Sequence, residues 1–227
     1  MPEEQDMQTI VNLYATCMEE VKKRTEAIRM VHDKKYSTPF SITNTEFMAL
    51  QLRKILELIA LGNLVANREQ YETVRASFQT DWNAKAIIKT IKKINTNYFP
   101  IGVIRKPSKY PKVVCEWENK TENILTEELF EKAYDEMSCL LHSKNPFSNK
   151  EENLNEINLK ILLYMNLIIN LLNEHTIKLC NGDILNCTME AYTPQKPETK
   201  KVSVHYFGRI SDTETKSIIS EDTSQDN

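Results

Sequence analysis

One segment constrains this chain more than any other. From Thr45 to Ala66 it reads TEFMALQLRKILELIALGNLVA. At 100° per residue, Met48, Ala49, Leu52, Ile55, Leu56, Ile59 and Ala60 form a wide apolar arc. The opposite side is not a normal solvent face, because Phe47, Leu50, Leu58, Leu61, Leu64 and Val65 occupy it. A helix that is apolar around most of its circumference is expected to be buried nearly all round. The pattern therefore predicts a helical bundle organised about this segment. Glu46, Arg53 and Glu57 cluster on one line of that helix. A buried charge without a partner costs several kcal/mol, and Arg53 and Glu57, four residues apart, can supply one another. They either lock two helices together or form a polar site that presents Arg53 and Glu57 to a ligand.

The rest of the bundle is read from the same period. Met7, Ile10, Val11, Tyr14, Met18, Val21, Ile28 and Val31 predict a first helix from about Asp6 to His32. Pro39 marks the break that follows it, and the central helix is expected to start at a cap near Thr43 or Thr45. Asn67 with Gln70 has the spacing of a capping box for a third helix, with Tyr71, Val74 and Phe78 inward. Asp81 is placed to cap a fourth, running through Asn95. A fifth follows Thr126, where Glu127 and Glu128 suit the positive end of the helix dipole, and it stops at His142–Phe147. Asn149 with Glu152 suggests the cap of a sixth, which carries Leu154, Ile157, Ile161, Leu162, Met165, Ile168, Ile169 and Leu172.

After Asn173 the period changes from helical to alternating. Ile177 and Leu179 share one strand face, and Leu185, Cys187, Met189 and Ala191 share the next. Asn181-Gly182 is a hairpin signal. A two-residue loop would oppose Leu179 to Ile184 and mix the faces, whereas an odd loop opposes Leu179 to Leu185 and Ile177 to Cys187. A one-residue slip turns every side chain over, so the odd loop is expected. Val202, Val204 and Tyr206 suggest a third strand. The expected fold is mainly α, about six helices in a bundle, with a small antiparallel β-hairpin or meander at the C-terminus. Residues 1–174 form the bundle, with an irregular Pro-containing insertion at 96–125 in which Val113–Trp117 is a short strand. Residues 175–210 form the β piece, and 211–227 an acidic, disordered tail.

Composition removes several function classes. Cys17, Cys115, Cys139, Cys180 and Cys187 are odd in number and lack C-x-x-C spacing, which fits neither a disulfide framework nor a zinc site. Gly62, Gly102, Gly182 and Gly208 are too dispersed for a phosphate-cradling loop. No metal or cofactor is expected. No stretch approaches the ~20 apolar residues of a membrane span, and Met1–Asp6 is acidic rather than a signal peptide. A cytoplasmic location without membrane association is the expectation.

Two further features can carry chemistry. His142 sits where the fifth helix ends and Asn145 lies just beyond it, on a loop of the kind that concentrates functional groups. From Trp82 to Cys115 there are basic residues and no acids, among them Lys85, Lys89, Lys92, Lys93, Arg105 and Lys106, with Trp82, Tyr98, Phe99 and Tyr110 interleaved. Such a run can hold a phosphate backbone and stack bases. Against it stand a net charge of −3 and the acid-rich stretch Glu116–Glu136, which can neutralise the lysines. The function expected first is a non-enzymatic bundle that binds a partner or ligand through the polar site of its central helix. The alternative is an enzyme acting on nucleic acid or another phosphate compound, with Arg53 neutralising charge beside Glu57, and His142, near Asn145, as acid or base. A third reading is a nucleic-acid binder without catalysis, through residues 82–115.

Overall fold

In the computed structural model, residues 2–76, 78–109, 115–143, 145–147, 153–189, 202–208 and 217–219 are described. The helices are α1 (Pro2–His32), α2 (Ser41–Ala66), α3 (Arg68–Val74), α4 (Ala84–Ile94), α5 (Glu127–Leu140) and α6 (Leu154–Leu172), with a 3-10 turn at Phe78–Thr80. The strands are β1 (Ile101–Pro107), β2 (Cys115–Asn119), β3 (Glu174–Lys178), β4 (Ile184–Met189), β5 (Val202–Phe207) and β6 (Ser217–Ile219).

α2 is the hub that its composition demanded, packing against α1, α3, α4, α5 and α6. Its apolar arc is fully buried, from Met48 and Leu52 to Ile59 and Ala60. The burial is not complete all round, however. Phe47 and Leu50 remain 40% and 38% exposed. The helix also begins earlier than expected, with Phe40 as its unassisted N-cap. Thr43 turns its hydroxyl onto the Phe40 carbonyl at 2.9 Å, and buried Thr45 donates to Asn158 Oδ1 on α6 at 2.9 Å.

Two other caps differ from the sequence expectation for one reason: the nearby tertiary partners claimed the side chain first. Asn67 makes no capping bond and donates back to the Asn63 carbonyl. Asp81 is taken by the Tyr71 hydroxyl and by Arg75, so Asn83 caps α4 by accepting from Ala86 N. Val74, expected inward, is exposed, since α3 ends there. Thr126 caps α5 as expected, accepting from Leu129 N at 3.2 Å. Asn149 and Glu152 lie outside the described residues, and Asn153 is the cap of α6.

The β structure is larger than a small C-terminal hairpin. Six antiparallel strands pair in the order β2-β1-β3-β4-β5-β6. β1 and β2 come from the stretch expected to be irregular. Pro107 ends β1, where its missing N–H costs the ladder little, and β2 continues to Asn119, beyond the expected Trp117. Val113 and Val114 lie outside the described residues. Ser217–Ile219, within the stretch read as a tail, pairs with β5. The β3–β4 loop is odd, as the side-chain pattern requires, but the register is two residues from the expected one: Ile177 faces Leu185 and His175 faces Cys187. The apolar faces survive because a shift of two keeps parity. The loop keeps its length but sits one residue earlier, turning at Gly182, which has φ 86° and donates to the Leu179 carbonyl.

The face bearing His175, Ile177, Leu185, Cys187 and Val204 is buried, and its apolar members join the helical core. α1 covers this face, and Glu19 accepts the first N–H of β5 at 2.6 Å. The other face is concave. Trp117 on β2 meets Phe207 on β5 edge to face at 5.3 Å, although three strands lie between them. Four strand spacings would hold them about 19 Å apart in a flat sheet, so the sheet must coil strongly.

Candidate functional site

The polar line on α2 is built one turn apart. Arg53 Nε lies 3.3 Å from Glu57 Oε1, and Lys54 Nζ lies 2.9 Å from Glu57 Oε2. Glu57 is buried, its side chain 11% exposed, and two cations answer its charge. Arg53 is held differently. Its Nε–H is buried and within ion-pair distance of Glu57, but it is not aligned for a hydrogen bond. Its guanidinium carbon lies 5.4 Å from the ring centre of Tyr134 on α5, a cation–π arrangement. Among the described residues, its two terminal nitrogens have no hydrogen-bond partner. Arg53, Lys54 and Glu57 together carry one excess positive charge, with the Arg53 guanidinium over the Tyr134 ring at the α2–α5 seam.

His142 and Asn145 stand apart from this cluster. His142 follows the C-cap Leu141, is exposed, and donates its backbone N–H to the Cys139 carbonyl. Asn145 is exposed and closes a local turn by accepting from Phe147 N at 3.0 Å. Among the described residues no hydrogen bond or ion pair links either of them to Arg53 or Glu57. Tyr134 is the structural link. It touches Arg53 from α5, and His142 comes eight residues later, about 12 Å further along at the rise of a helix.

The basic stretch is largely neutralised within the fold. Lys85 pairs with Asp135 at 2.9 Å and Lys92 with Glu127 at 2.6 Å, both tying α4 to α5. Arg105 pairs with Glu174 at 2.8 Å, and Lys106 with Glu118 across the β1–β2 ladder. Lys89 and Lys93 lie on the exposed side of α4. Trp82 is exposed, whereas Tyr98 is buried. Tyr110 lies outside the described residues.

Two buried polar networks are the features that sequence reasoning missed. In the first, the Tyr14 hydroxyl on α1 lies 2.7 Å from His175 Nε2 on β3. His175 Nδ1 lies 2.9 Å from the Leu172 carbonyl, which can only accept, so Nδ1 carries the proton and Nε2 receives the Tyr14 hydroxyl. Burial lowers the His175 pKa to about 4, the Leu172 hydrogen bond opposes that shift, and Lys120 reinforces it. The imidazole is therefore neutral at neutral pH. Burial likewise raises the Tyr14 hydroxyl and the Cys187 thiol, and Cys17 to about 11, so neither cysteine forms a thiolate readily. In the second network, Asn95 Nδ2 donates to Asn67 Oδ1 at 2.8 Å and to the Lys178 carbonyl at 2.7 Å, fastening the bundle to the hairpin. A sequence signal existed for His175, since it is two residues before Ile177 and so shares the inward face. None existed for the Asn67–Asn95 pair, which lie 28 residues apart.

Among the described residues, no three His, Cys, Asp or Glu side chains are grouped to hold a metal ion, and no helix is long and apolar enough to cross a membrane. The fold defines an α+β protein with a helical bundle on one face of a coiled antiparallel sheet. The chain matches no protein-family model, and comparisons with curated proteins and with solved structures find no relative.

Proposed function

We propose that this chain is a binding protein whose ligand seats a carboxylate or phosphate on Arg53, at the α2–α5 seam. The observation that carries this reading is the Arg53 guanidinium, held over the Tyr134 ring with both terminal nitrogens unclaimed by the described residues. A planar fork of that kind matches a carboxylate or phosphate with two parallel hydrogen bonds. Glu57 does not cancel it, because Lys54 shares the same carboxylate. Binding is favoured over catalysis because His142 comes eight residues after Tyr134, about 12 Å at the rise of a helix, and the Asn145 side-chain amide oxygen is engaged in a turn. It is favoured over a nucleic-acid track because Lys85, Lys92, Arg105 and Lys106 are each paired with an acid.

Calorimetric titration with inorganic pyrophosphate and with penta-glutamate tests the proposal and separates a phosphate from a carboxylate ligand. Binding of at least one probe is expected, weakening as salt rises. Arg53→Ala should reduce the affinity about tenfold or more, equal to ~1.4 kcal/mol, and Arg53→Lys should recover only part of it. No binding of either probe, or equal binding by Arg53→Ala, overturns the proposal. Turnover of a single-stranded oligonucleotide that disappears in His142→Ala would replace it with the catalytic reading.

A further inference from the structure

The concave face of the sheet carries a group of side chains that neither the helical core nor the Arg53 site uses. The ladder registers put Trp117 of β2, Arg105 of β1, Glu174 of β3, Asn186 of β4, and His205 and Phe207 of β5 on that face. Val103 and Asn186 are its floor, and Val103 is buried there although it is no part of the helical core. Trp117 meets Phe207 at 77°, close to a right angle, so a flat molecule lying on one ring turns its edge to the other. The His205 ring lies 6.3 Å from Phe207, with only 31° between their planes. Arg105 is near enough to His205 for its charge to be felt across β3 and β4, a second mark of the coiling that forms this hollow.

The hollow also holds hydrogen-bonding capacity that the fold leaves unspent. Trp117 Nε1–H is buried without a partner, which is costly unless something accepts the bond. Arg105 spends Nε and Nη2 on one oxygen of Glu174, at 3.1 and 2.8 Å. Its Nη1 and the second carboxylate oxygen are unengaged among the described residues. Burial, with the Arg105 charge beside it, holds the His205 pKa below its ordinary value, so the ring is neutral and offers one donor and one acceptor. Aromatic faces beside donors and acceptors match a nucleobase, which has a π-face and an edge of both kinds. The two fused rings of a purine can lie across both Phe207 and His205. We infer that this hollow binds a purine nucleoside, its base stacked on Phe207 and His205 and its edge hydrogen-bonded by Trp117, Arg105 and Glu174. The cations Arg105 and Lys106 are each paired with an acid, which favours a free nucleoside over a nucleic-acid strand.

Fluorescence titration of the full chain with adenosine and guanosine tests the inference, with ribose 5-phosphate as the control. The chain has two tryptophans and Trp82 is exposed, so Trp82→Phe leaves Trp117 as the sole indole reporter without touching the core. At least one nucleoside should quench or shift Trp117 saturably, and ribose 5-phosphate should not. Affinity should change by less than about twofold as salt rises, because stacking an uncharged base releases no counterions. His205→Ala and Phe207→Leu should each weaken binding about tenfold. Arg105→Gln, at an exposed position that keeps the test open should Phe207→Leu not fold, should weaken it about fivefold. Arg53→Ala should leave nucleoside binding unchanged, which keeps this result independent of the site on α2. No response to either nucleoside, an equal response to ribose 5-phosphate, or full binding by both His205→Ala and Arg105→Gln would overturn the inference. So would an oligoadenylate that binds about tenfold more tightly than adenosine and loses that advantage in salt, because the occupant would then be a strand.

Discussion

The buried Tyr14–His175 pair makes stability depend on pH in a calculable way. Folded His175 has a pKa near 4 because burial disfavours its charged form. In the unfolded chain it titrates near 6.5. Protonating the folded imidazole would also set an N–H against the Tyr14 hydroxyl, which now donates to Nε2. The folded state thus binds fewer protons than the unfolded one between pH 6.5 and 4, so stability is present above 6.5 and falls as pH drops through that window. At pH 5 the unfolded imidazole is almost fully charged while the folded one is still neutral, a loss of about 2 kcal/mol relative to pH 7.5. For a chain of this size that is about 4–8 °C in Tm. Urea unfolding at pH 7.5 and pH 5.0 measures it, for the natural chain and for His175→Gln. Titrating carboxylates and the other histidines affect both proteins alike and cancel in the difference. The natural chain should lose about 2 kcal/mol more than the variant over this interval. Parallel losses in the two proteins would refute the reasoning, because the buried imidazole would then not be the group that titrates.

Two further outcomes follow from the packing. A Cβ at Gly62 would come within 3.1 Å of the Tyr14 ring and 3.3 Å of the Met18 terminal carbon; because the His175 bond pins Tyr14, Gly62→Ala should destabilise by about 1–2 kcal/mol in chemical denaturation, despite the better helix propensity of Ala. Asn95→Ala leaves Asn67 Oδ1 and the Lys178 carbonyl without their shared donor, and should cost about 1–3 kcal/mol, with amide-exchange protection lost first in the β3–β4 hairpin; unchanged protection there would sink the idea that Asn95 fastens the hairpin to the bundle.

The hub helix was legible because its signal is local and dense. An apolar surface on nearly every side of Thr45–Ala66 has few solutions other than a central position. The same holds for the parity of the β3–β4 hairpin, since only the odd loop keeps Ile177, Leu185 and Cys187 on one face. The Arg53–Glu57 pairing was legible too, since residues four apart on a helix are neighbours.

What the sequence left open was every choice among competing partners. Asp81 and Asn67 each have the composition of a cap, and only the position of Tyr71, Arg75 and Asn95 decided that they serve elsewhere. Ile101–Pro107 and Cys115–Asn119 lie among Pro100, Pro107 and Pro111, which read as punctuation, and they became strands because β3 offered an edge to pair with. Trp117 meets Phe207 only because the sheet coils. His175 found Tyr14 from 161 residues away. Arg53 gained its aromatic support from α5. Periodicity reports which face of an element turns inward, because that information repeats along a few turns of chain. It carries nothing about which distant element arrives to meet that face, and the candidate binding chemistry of this protein is set by those arrivals.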